Sequence, residues 1–303
     1  MKLTTTHLHK QNSFGKITAL TAYDFPTARV ADECGIDILL VGDSVGTNVL
    51  GYEDISQVTM EDMLHHVRPV ARAAKRAFVL ADLPFHSFET ARQGLENAAK
   101  LMRENADGVK IEGGKDVVDI IRLLAHNNIP VCAHIGYTPQ TKGKKPQVEG
   151  KNAAQAQELI ESALEAQRAG AFMIVLELVT AQLAGEITRS LHIPTIGIGS
   201  GPLCDGQVLV IHDMIGMTGR TFRHVKTYGN AREELIRSIG AYTREVRQGI
   251  FPTESNATAM APEVFAQVKE WIEKNVSAAI PDPIPDTPES GPAGRPPERA
   301  PLF

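Results

Sequence analysis

From about residue 17 to residue 250 the chain repeats one rhythm, a short apolar run followed by a longer amphipathic stretch. The runs are ITALTAY (17–23), DILLVGD (37–43), AFVLADL (77–83), DGVKIE (107–112), PVCAHI (130–135), AFMIVLEL (171–178), PTIGIGS (194–200) and VLVIHD (208–213). They have strand length, are rich in β-branched residues and are bounded by Gly, Pro or Asp. Such runs read as strands buried on both faces. Helical patterns lie between them. Thr59 and Asp62 form a capping-box start for 60–76, the 152–169 stretch stops at Gly170, and 231–248 stops at Gly249. Eight strands alternating with helices favour an α/β fold of the (β/α)8 TIM-barrel type over an open doubly wound sheet. A single catalytic barrel over 1–275 accounts for most of the 303 residues. Residues 276–303 hold eight of the eighteen prolines, which predicts a disordered tail that takes no part in catalysis.

Composition narrows the function classes. Apolar residues make up 43%, enough for a sizeable core, and 31 basic against 36 acidic residues leave a net charge of −5. That balance argues against a broadly basic nucleic-acid surface. The three cysteines, Cys34, Cys132 and Cys204, are far apart and never in a C-x-x-C pair. They predict reduced thiols, buried as small hydrophobes in a reducing compartment. MKLTTTHLHK lacks the apolar region of a signal peptide, and no apolar run is long enough to span a bilayer. The expectation is a soluble cytoplasmic protein with neither membrane nor nucleic acid as partner.

The placement of acids is more informative. Asp43 closes the second run, Asp82 lies near the end of the third, Glu112 closes the fourth and Glu177 lies late in the sixth. In a barrel, the C-terminal ends of the strands form the active-site face, so the four carboxylates converge in one mouth. Like charges in a partly dry pocket repel unless something neutralises them. A divalent cation held by Asp43, Asp82 and Glu112 does so, and an all-carboxylate set favours Mg²⁺ over Zn²⁺. The plainer account, in which each acid is a helix N-cap or turn-maker, needs a separate explanation on each strand.

Lys110 stands two residues before Glu112, so both side chains point to the same side of the strand. It reads as an anchor for a substrate carboxylate, or as a salt bridge to Glu112 or Asp82. His134, ending the fifth run, is placed to hydrogen-bond a substrate or to satisfy a backbone carbonyl. Glu177, embedded in FMIVLELV, suits a general base, because burial raises a carboxylate's pKa. GDSVG (42–46) offers Ser44 and backbone N–H groups to an oxo-acid, and GIGSG (197–201) follows the seventh run, where barrels often hold phosphate; each reads equally well as a tight turn, and no phosphate site is assigned. His65 and His66, on a surface helix, receive no role. The long polar stretch 136–151, GYTPQTKGKKPQVEGK, is a functional loop.

LTAYD (20–24), LLVGDSVG (39–46), VTMEDMLHHV (58–67), VLADLPF (79–85), GVKIEGG (108–114), HIGYTPQ (134–140), IVLELV (174–179), IPTIGIGSG (193–201) and CDGQVLVIHDMIG (204–216) together resemble the ketopantoate hydroxymethyltransferases. The likeness covers about residues 1–265 in family order. It implies a Mg²⁺-dependent barrel that transfers a hydroxymethyl unit from 5,10-methylenetetrahydrofolate to 3-methyl-2-oxobutanoate in pantothenate biosynthesis. It further implies that Asp43 binds metal and substrate, Ser44 substrate, Asp82 metal and substrate, Lys110 substrate and Glu112 metal. Glu177 becomes the proton acceptor, with His134 beside the substrate. Large homo-oligomers, commonly decamers, go with the family. Tyr137, Ser200, Glu149 and the stretch GTNVLGYEDIS depart from its commonest pattern; in particular Glu149 stands where Gln is frequent. None of these is an assigned site position.

Two other readings use the same features. A lyase or mutase of the phosphoenolpyruvate mutase and isocitrate lyase group would share the fold and metal but carry a reactive cysteine in a mobile loop, and 136–151 has none. A non-catalytic oxo-acid binder or scaffold would not need the intact carboxylate set.

Overall fold

The computed structural model describes residues 1–11, 15–143, 145–219 and 222–276. Eight parallel strands form a closed barrel in sequence order: β1 (Ile17–Thr21), β2 (Ile38–Val41), β3 (Phe78–Asp82), β4 (Gly108–Glu112), β5 (Val131–Gly136), β6 (Met173–Glu177), β7 (Thr195–Ile198) and β8 (Gly206–Leu209). β1 pairs with both β2 and β8, which closes the ring. The (β/α)8 expectation is met.

Alternation along each strand sorts the side chains into two cores. Ile17, Ile38, Leu40, Phe78, Leu80, Cys132, Met173, Val175, Ile196 and Val208 form one cluster, in the barrel interior. Leu39, Val79, Ile111, Ile174 and Leu176 belong to the other, packed with helix residues such as Met63, Val67, Leu101 and Leu124. Each large side chain removed from water in this way contributes about 1.5–3 kcal/mol.

The described α-helices are α1 (Thr5–Gln11), α2 (Phe25–Glu33), α3 (Met60–Ala73), α4 (Ala91–Arg103), α5 (Val118–His126), α6 (Pro139–Lys142), α7 (Ala153–Arg168), α8 (Ala181–Ser190), α9 (Ile211–Met214), α10 (Ala231–Arg247) and α11 (Pro262–Asn275). The start of α3 follows from its first residues. Thr59 Oγ1 accepts from Asp62 N–H at 3.1 Å while Asp62 Oδ2 accepts from Thr59 N–H at 2.9 Å, so two otherwise orphaned donors are satisfied. Its buried face is Met63, His66, Val67, Val70 and Ala73, at helical spacing. α7 opens on Asn152, whose Oδ1 accepts from Gln155 N–H at 2.9 Å, and stops before Gly170 at φ +103°.

The described chain forms two compact units. Met1–Arg237 contains the barrel; the second begins at Ser238 and carries the end of α10 together with α11. The Pro-rich tail expected over 276–303 lies, after Val276, outside the described residues.

Three sequence expectations need correction. The eighth strand is Gly206–Leu209, not 208–213, because the backbone leaves the sheet at Val210 and Ile211 N–H donates to Thr21 Oγ1 at 3.0 Å as α9 begins. Residues 199–205, between β7 and β8, contain no helix. Cys34 is exposed beside the end of α2, while Cys132 and Cys204 are buried as expected; all three are free thiols.

Candidate active site

The strand ends do bring the expected acids together. A cavity of about 150 Å³ is lined by Asp43 and Ser44 after β2, Asp82 of β3, Lys110 and Glu112 of β4, His134 of β5 and Glu177 of β6. Its apolar wall includes Leu40, Val175, Ile198 and Val208. Ladder register explains who meets whom. Asp82 lies opposite Lys110 and Glu112 opposite His134, whereas Glu177 lies opposite Gly136, which has no side chain.

Lys110 Nζ is accordingly 3.1 Å from Asp82 Oδ2 and 3.9 Å from Glu112 Oε1, with its side chain 5% exposed. The salt-bridge reading of Lys110 is therefore realised. Asp82 Oδ2 also accepts from Asp43 N–H at 3.0 Å. His134 touches side chains rather than a backbone carbonyl. Its Nδ1 is 3.1 Å from Glu112 Oε1 and 3.3 Å from Lys110 Nζ, and its Nε2 is 3.2 Å from Glu177 Oε2. The two carboxylate approaches are ion-pair contacts; neither Glu112 Oε1 nor His134 Nε2 has a well-aligned hydrogen bond.

The charges respond to this crowding. Burial, reinforced by Asp82 and Glu112, pushes the Asp43 carboxyl up to about 8. Burial likewise raises Asp82, against the pull of Lys110. Burial would raise Glu112 too, but His134 and Lys110 outweigh it and hold its carboxyl below the usual range. For Lys110 burial works downward and the three acids overcome it, so the ammonium persists. His134 is pushed down by burial and by Lys110, yet Glu112 and Glu177 carry it up to about 9. Glu177 is the outlier in position. Its side chain is 22% exposed where those of Asp82 and Glu112 are 2% and 1%. The apolar neighbours that suggested full burial, Leu176 and Leu178, belong to other faces, since alternation aims Glu177 into the mouth.

Asp82 Oδ1 and Glu112 Oε1 are buried acceptor oxygens without a hydrogen bond. Unsatisfied carboxylate oxygens in a dry pocket are the donor chemistry that a hard cation requires. Among the described residues, no group of three His, Cys, Asp or Glu is arranged as it stands to enclose an ion. Lys110 pairs with Asp82, and the Gln140 amide holds Asp43 at 2.7 Å. The donor set fits a cation in kind, with these two side chains on its carboxylates.

Some residues that support the pocket's lining had no role from sequence. Tyr23, buried in LTAYD, hydrogen-bonds through Oη to Ser44 Oγ at 2.8 Å, and burial holds its phenol above the ordinary range. His66 is buried rather than exposed, and its Nδ1 donates to the Tyr23 carbonyl at 2.6 Å. In GIGSG, Ser200 donates to Leu176 O at 2.8 Å and accepts from Val179 N–H at 3.0 Å, bracketing Glu177 through the backbone. The expected 136–151 loop contains the short α6, which places Gln140 over the site. Motif membership was the available signal for Tyr23 and Gln140, and for His66 too, which lies in VTMEDMLHHV.

No described helix is long and apolar enough to cross a membrane. Among solved structures, a 2,3-dimethylmalate lyase of the PEP mutase/isocitrate lyase superfamily aligns with TM-score 0.55 at 18% identity, covering 92% of this chain and 100% of its own. A phosphoenolpyruvate phosphomutase from Streptomyces platensis subsp. rosaceus aligns with TM-score 0.57 at 13% identity, with the same coverage. These likenesses show a shared fold. Sequence relatives are far nearer. The 3-methyl-2-oxobutanoate hydroxymethyltransferase of Acetivibrio thermocellus is 48% identical over 276 residues, covering 89% of this chain and 94% of the relative. That of Geobacter sulfurreducens is 50% identical over 247 residues, covering 80% and 92%. The family model for ketopantoate hydroxymethyltransferase matches residues 2–254. With the barrel, its mouth and these matches together, this chain belongs to the ketopantoate hydroxymethyltransferase family.

Proposed function

We propose that this chain transfers a hydroxymethyl group from 5,10-methylenetetrahydrofolate to 3-methyl-2-oxobutanoate, giving 2-dehydropantoate and tetrahydrofolate on the way to pantothenate. The observation that carries the reading is a single small pocket in which five strands present acids, a lysine and a histidine against an apolar wall. Such a pocket suits a short oxo-acid with a branched apolar end.

Asp43, Asp82 and Glu112 are the residues that would hold a divalent cation, with Mg²⁺ favoured by their hard oxygens. Two of them carry buried oxygens with no hydrogen-bond partner, and burial, with Asp82 and Glu112 beside it, pushes the Asp43 carboxyl up to about 8, which is consistent with a cluster that a cation would relieve. When bound, the cation supplies Lewis acidity toward the keto and carboxylate oxygens of a 2-oxo acid.

The chain's own residues do the rest. Lys110 and Ser44 hold the substrate carboxylate, and Tyr23 fixes the Ser44 hydroxyl from behind. Glu177 takes the proton from C3, and the electron pair of that C–H bond moves into the enolate. His134, 3.2 Å from Glu177 Oε2, orients the carboxylate that receives the proton. The bond from C3 to the one-carbon unit forms and both C–N bonds of that unit to the folate break; water supplies the hydroxyl of the product, and the proton taken by Glu177 and the remaining proton of that water go to the two folate nitrogens. Leu40, Val175, Ile198 and Val208 exclude bulk water from the carbanionic centre. The assembly that goes with this reading is a homo-oligomer, a decamer by family, to be checked by light scattering.

Deuterium exchange at C3 of 3-methyl-2-oxobutanoate, followed by NMR in D₂O with and without Mg²⁺, tests the proton-transfer half. Exchange should depend on the metal and fall at least 10²-fold in Glu177→Gln, the range of a general base. Unchanged exchange in that variant sinks the base assignment. Failure of methylenetetrahydrofolate to support product formation sinks the transferase reading.

A further inference from the structure

Gln140, in the first turn of α6, is 5% exposed and makes three donations to strand ends. Its Nε2 donates to Asp43 Oδ2 at 2.7 Å and to Leu83 O at 3.1 Å, and its backbone N–H donates to Glu112 Oε2 at 3.1 Å. One residue of the β5 loop thus grips groups at the C-terminal ends of β2, β3 and β4. Its Oε1 is buried with no donor. Turning the amide over would aim that oxygen at a carboxylate and a carbonyl, so the orientation is fixed by chemistry. Leaving an acceptor unsatisfied is unfavourable, and the two Nε2 bonds to Asp43 and Leu83 offset that cost.

The rest of the loop is seated by separable contacts. Lys142 Nζ donates to Gly136 O at 2.8 Å and pairs with Glu149 Oε1 at 2.9 Å, and Glu149 N–H donates to Leu178 O at 2.8 Å. A neighbouring cavity of about 520 Å³ shares Glu112 with the site and is lined from the loop by Thr138, Thr141, Lys142 and Glu149. The loop therefore has open space beside it.

We propose that Gln140 is a positioning residue that couples seating of the β5 loop to loading of the carboxylate site with a divalent cation. The inference rests on the reading that Asp43 and Glu112 help to hold that cation. Donors on the outer oxygens of ligating carboxylates fix their orientation and are commonly worth 10–100-fold in metal affinity. Coupling is reciprocal, so a cation that favours the oriented carboxylates favours the seated loop by the same factor.

The test uses the full-length chain without substrate and Mg²⁺ alone as ligand. Calorimetry gives the affinity, and trypsin cleavage after Lys142, read by mass spectrometry with and without Mg²⁺, gives the loop's seating. In the wild type Mg²⁺ should slow that cleavage. Gln140→Ala should bind Mg²⁺ about 10-fold more weakly and lose the metal dependence of cleavage. Gln140→Met, which keeps the volume and removes the donor, should behave in the same way and stands in if the alanine variant fails to fold. A Met variant with wild-type Mg²⁺ affinity, or with cleavage still slowed by Mg²⁺, overturns the coupling and leaves the metal reading standing. A wild type that binds no divalent cation overturns both.

Discussion

Gly136→Ala is the most demanding perturbation of the site, because it adds one methyl group beside the backbone of the proposed base. Gly136 ends β5 at φ +99°, and a Cβ built there would lie 2.2 Å from Glu177 O and 2.8 Å from Val179 Cγ2. Contacts under 3.0 Å are essentially never observed for real Cβ atoms, so the strands must part by at least 0.8 Å, the gap between 3.0 and 2.2 Å. That parting falls on the Tyr137 N–H donation to Glu177 O, now 2.8 Å long. A left-handed backbone costs an L residue about 1–3 kcal/mol, and an orphaned buried N–H adds about 1–3 kcal/mol. Total domain stability is about 5–15 kcal/mol, so the variant should fold at reduced temperature with a clearly lowered melting point. A displacement of about 1 Å at a catalytic group can cost ~10²-fold. The C3 exchange assay should therefore lose roughly that factor in protein shown to be folded by circular dichroism. Gly35→Ala is the control. It shares a positive φ, +83°, but has no atom within 4 Å of the added Cβ, so it should cost about 1–2 kcal/mol of strain and leave exchange intact. Folded Gly136→Ala exchanging within about threefold of wild type would refute the argument that the β5–β6 contact fixes Glu177.

Two further outcomes follow from contacts away from the proposed base. Tyr23→Phe removes the hydroxyl that meets Ser44 Oγ at 2.8 Å; KM for the oxo-acid should rise about 5–10-fold at nearly constant kcat, the worth of one hydrogen bond, and a fall in kcat alone would contradict it. Asp32 accepts from the backbone N–H groups of Lys75, Arg76 and Ala77 at 2.9, 3.0 and 2.6 Å, tying α2 to the turn before β3. Although burial works upward, these donations hold its carboxyl below its ordinary 3.8. A depressed folded pKa means the contribution is present above the unfolded value and is lost as pH falls through the folded one. Asp32→Ala should lower denaturant stability by about 1–3 kcal/mol at neutral pH, with the difference from wild type shrinking below the ordinary 3.8; a constant difference down to strong acid would contradict it.

How far the sequence carried depended on whether a feature is local. Strand-length apolar runs announced seven of the barrel strands nearly in place, because both faces of each are buried and alternation gives way to a continuous run. The eighth was misplaced because VLVIHD continues the apolar pattern through residues that the Thr21 hydroxyl recruits into a helix. The carboxylates were legible because charge is costly in strand interiors and stands out there. Gln140 was not, since a glutamine in a polar loop is unremarkable until the loop folds back over three strand ends. His66 failed for the opposite reason: at helical spacing it looks like surface, and only the Tyr23 carbonyl makes its burial affordable.

Register then separates acids that composition treats alike. Asp82 faces Lys110 and Glu112 faces His134 across adjacent ladders, so each begins with a cationic neighbour at about 3.1 Å. Asp43, after β2, is held instead by the Gln140 amide, and burial together with Asp82 and Glu112 pushes its carboxyl up to about 8. Glu177 faces Gly136, and the missing side chain leaves its carboxylate the most accessible of the set, with the His134 imidazole diagonal to it. A group that must receive and release a proton at each turnover needs access and a partner that can follow its charge. Groups that hold a cation need to be still, and a bound cation would favour their ionised form against the burial that raises Asp43 and Asp82. A one-residue slip between β5 and β6 would place Ile135 or Tyr137 opposite Glu177 and erase that difference, since a slip of one exchanges the faces of a strand. If Glu177 is the base as proposed, the glycine at 136 is as much a determinant of that choice as the glutamate itself.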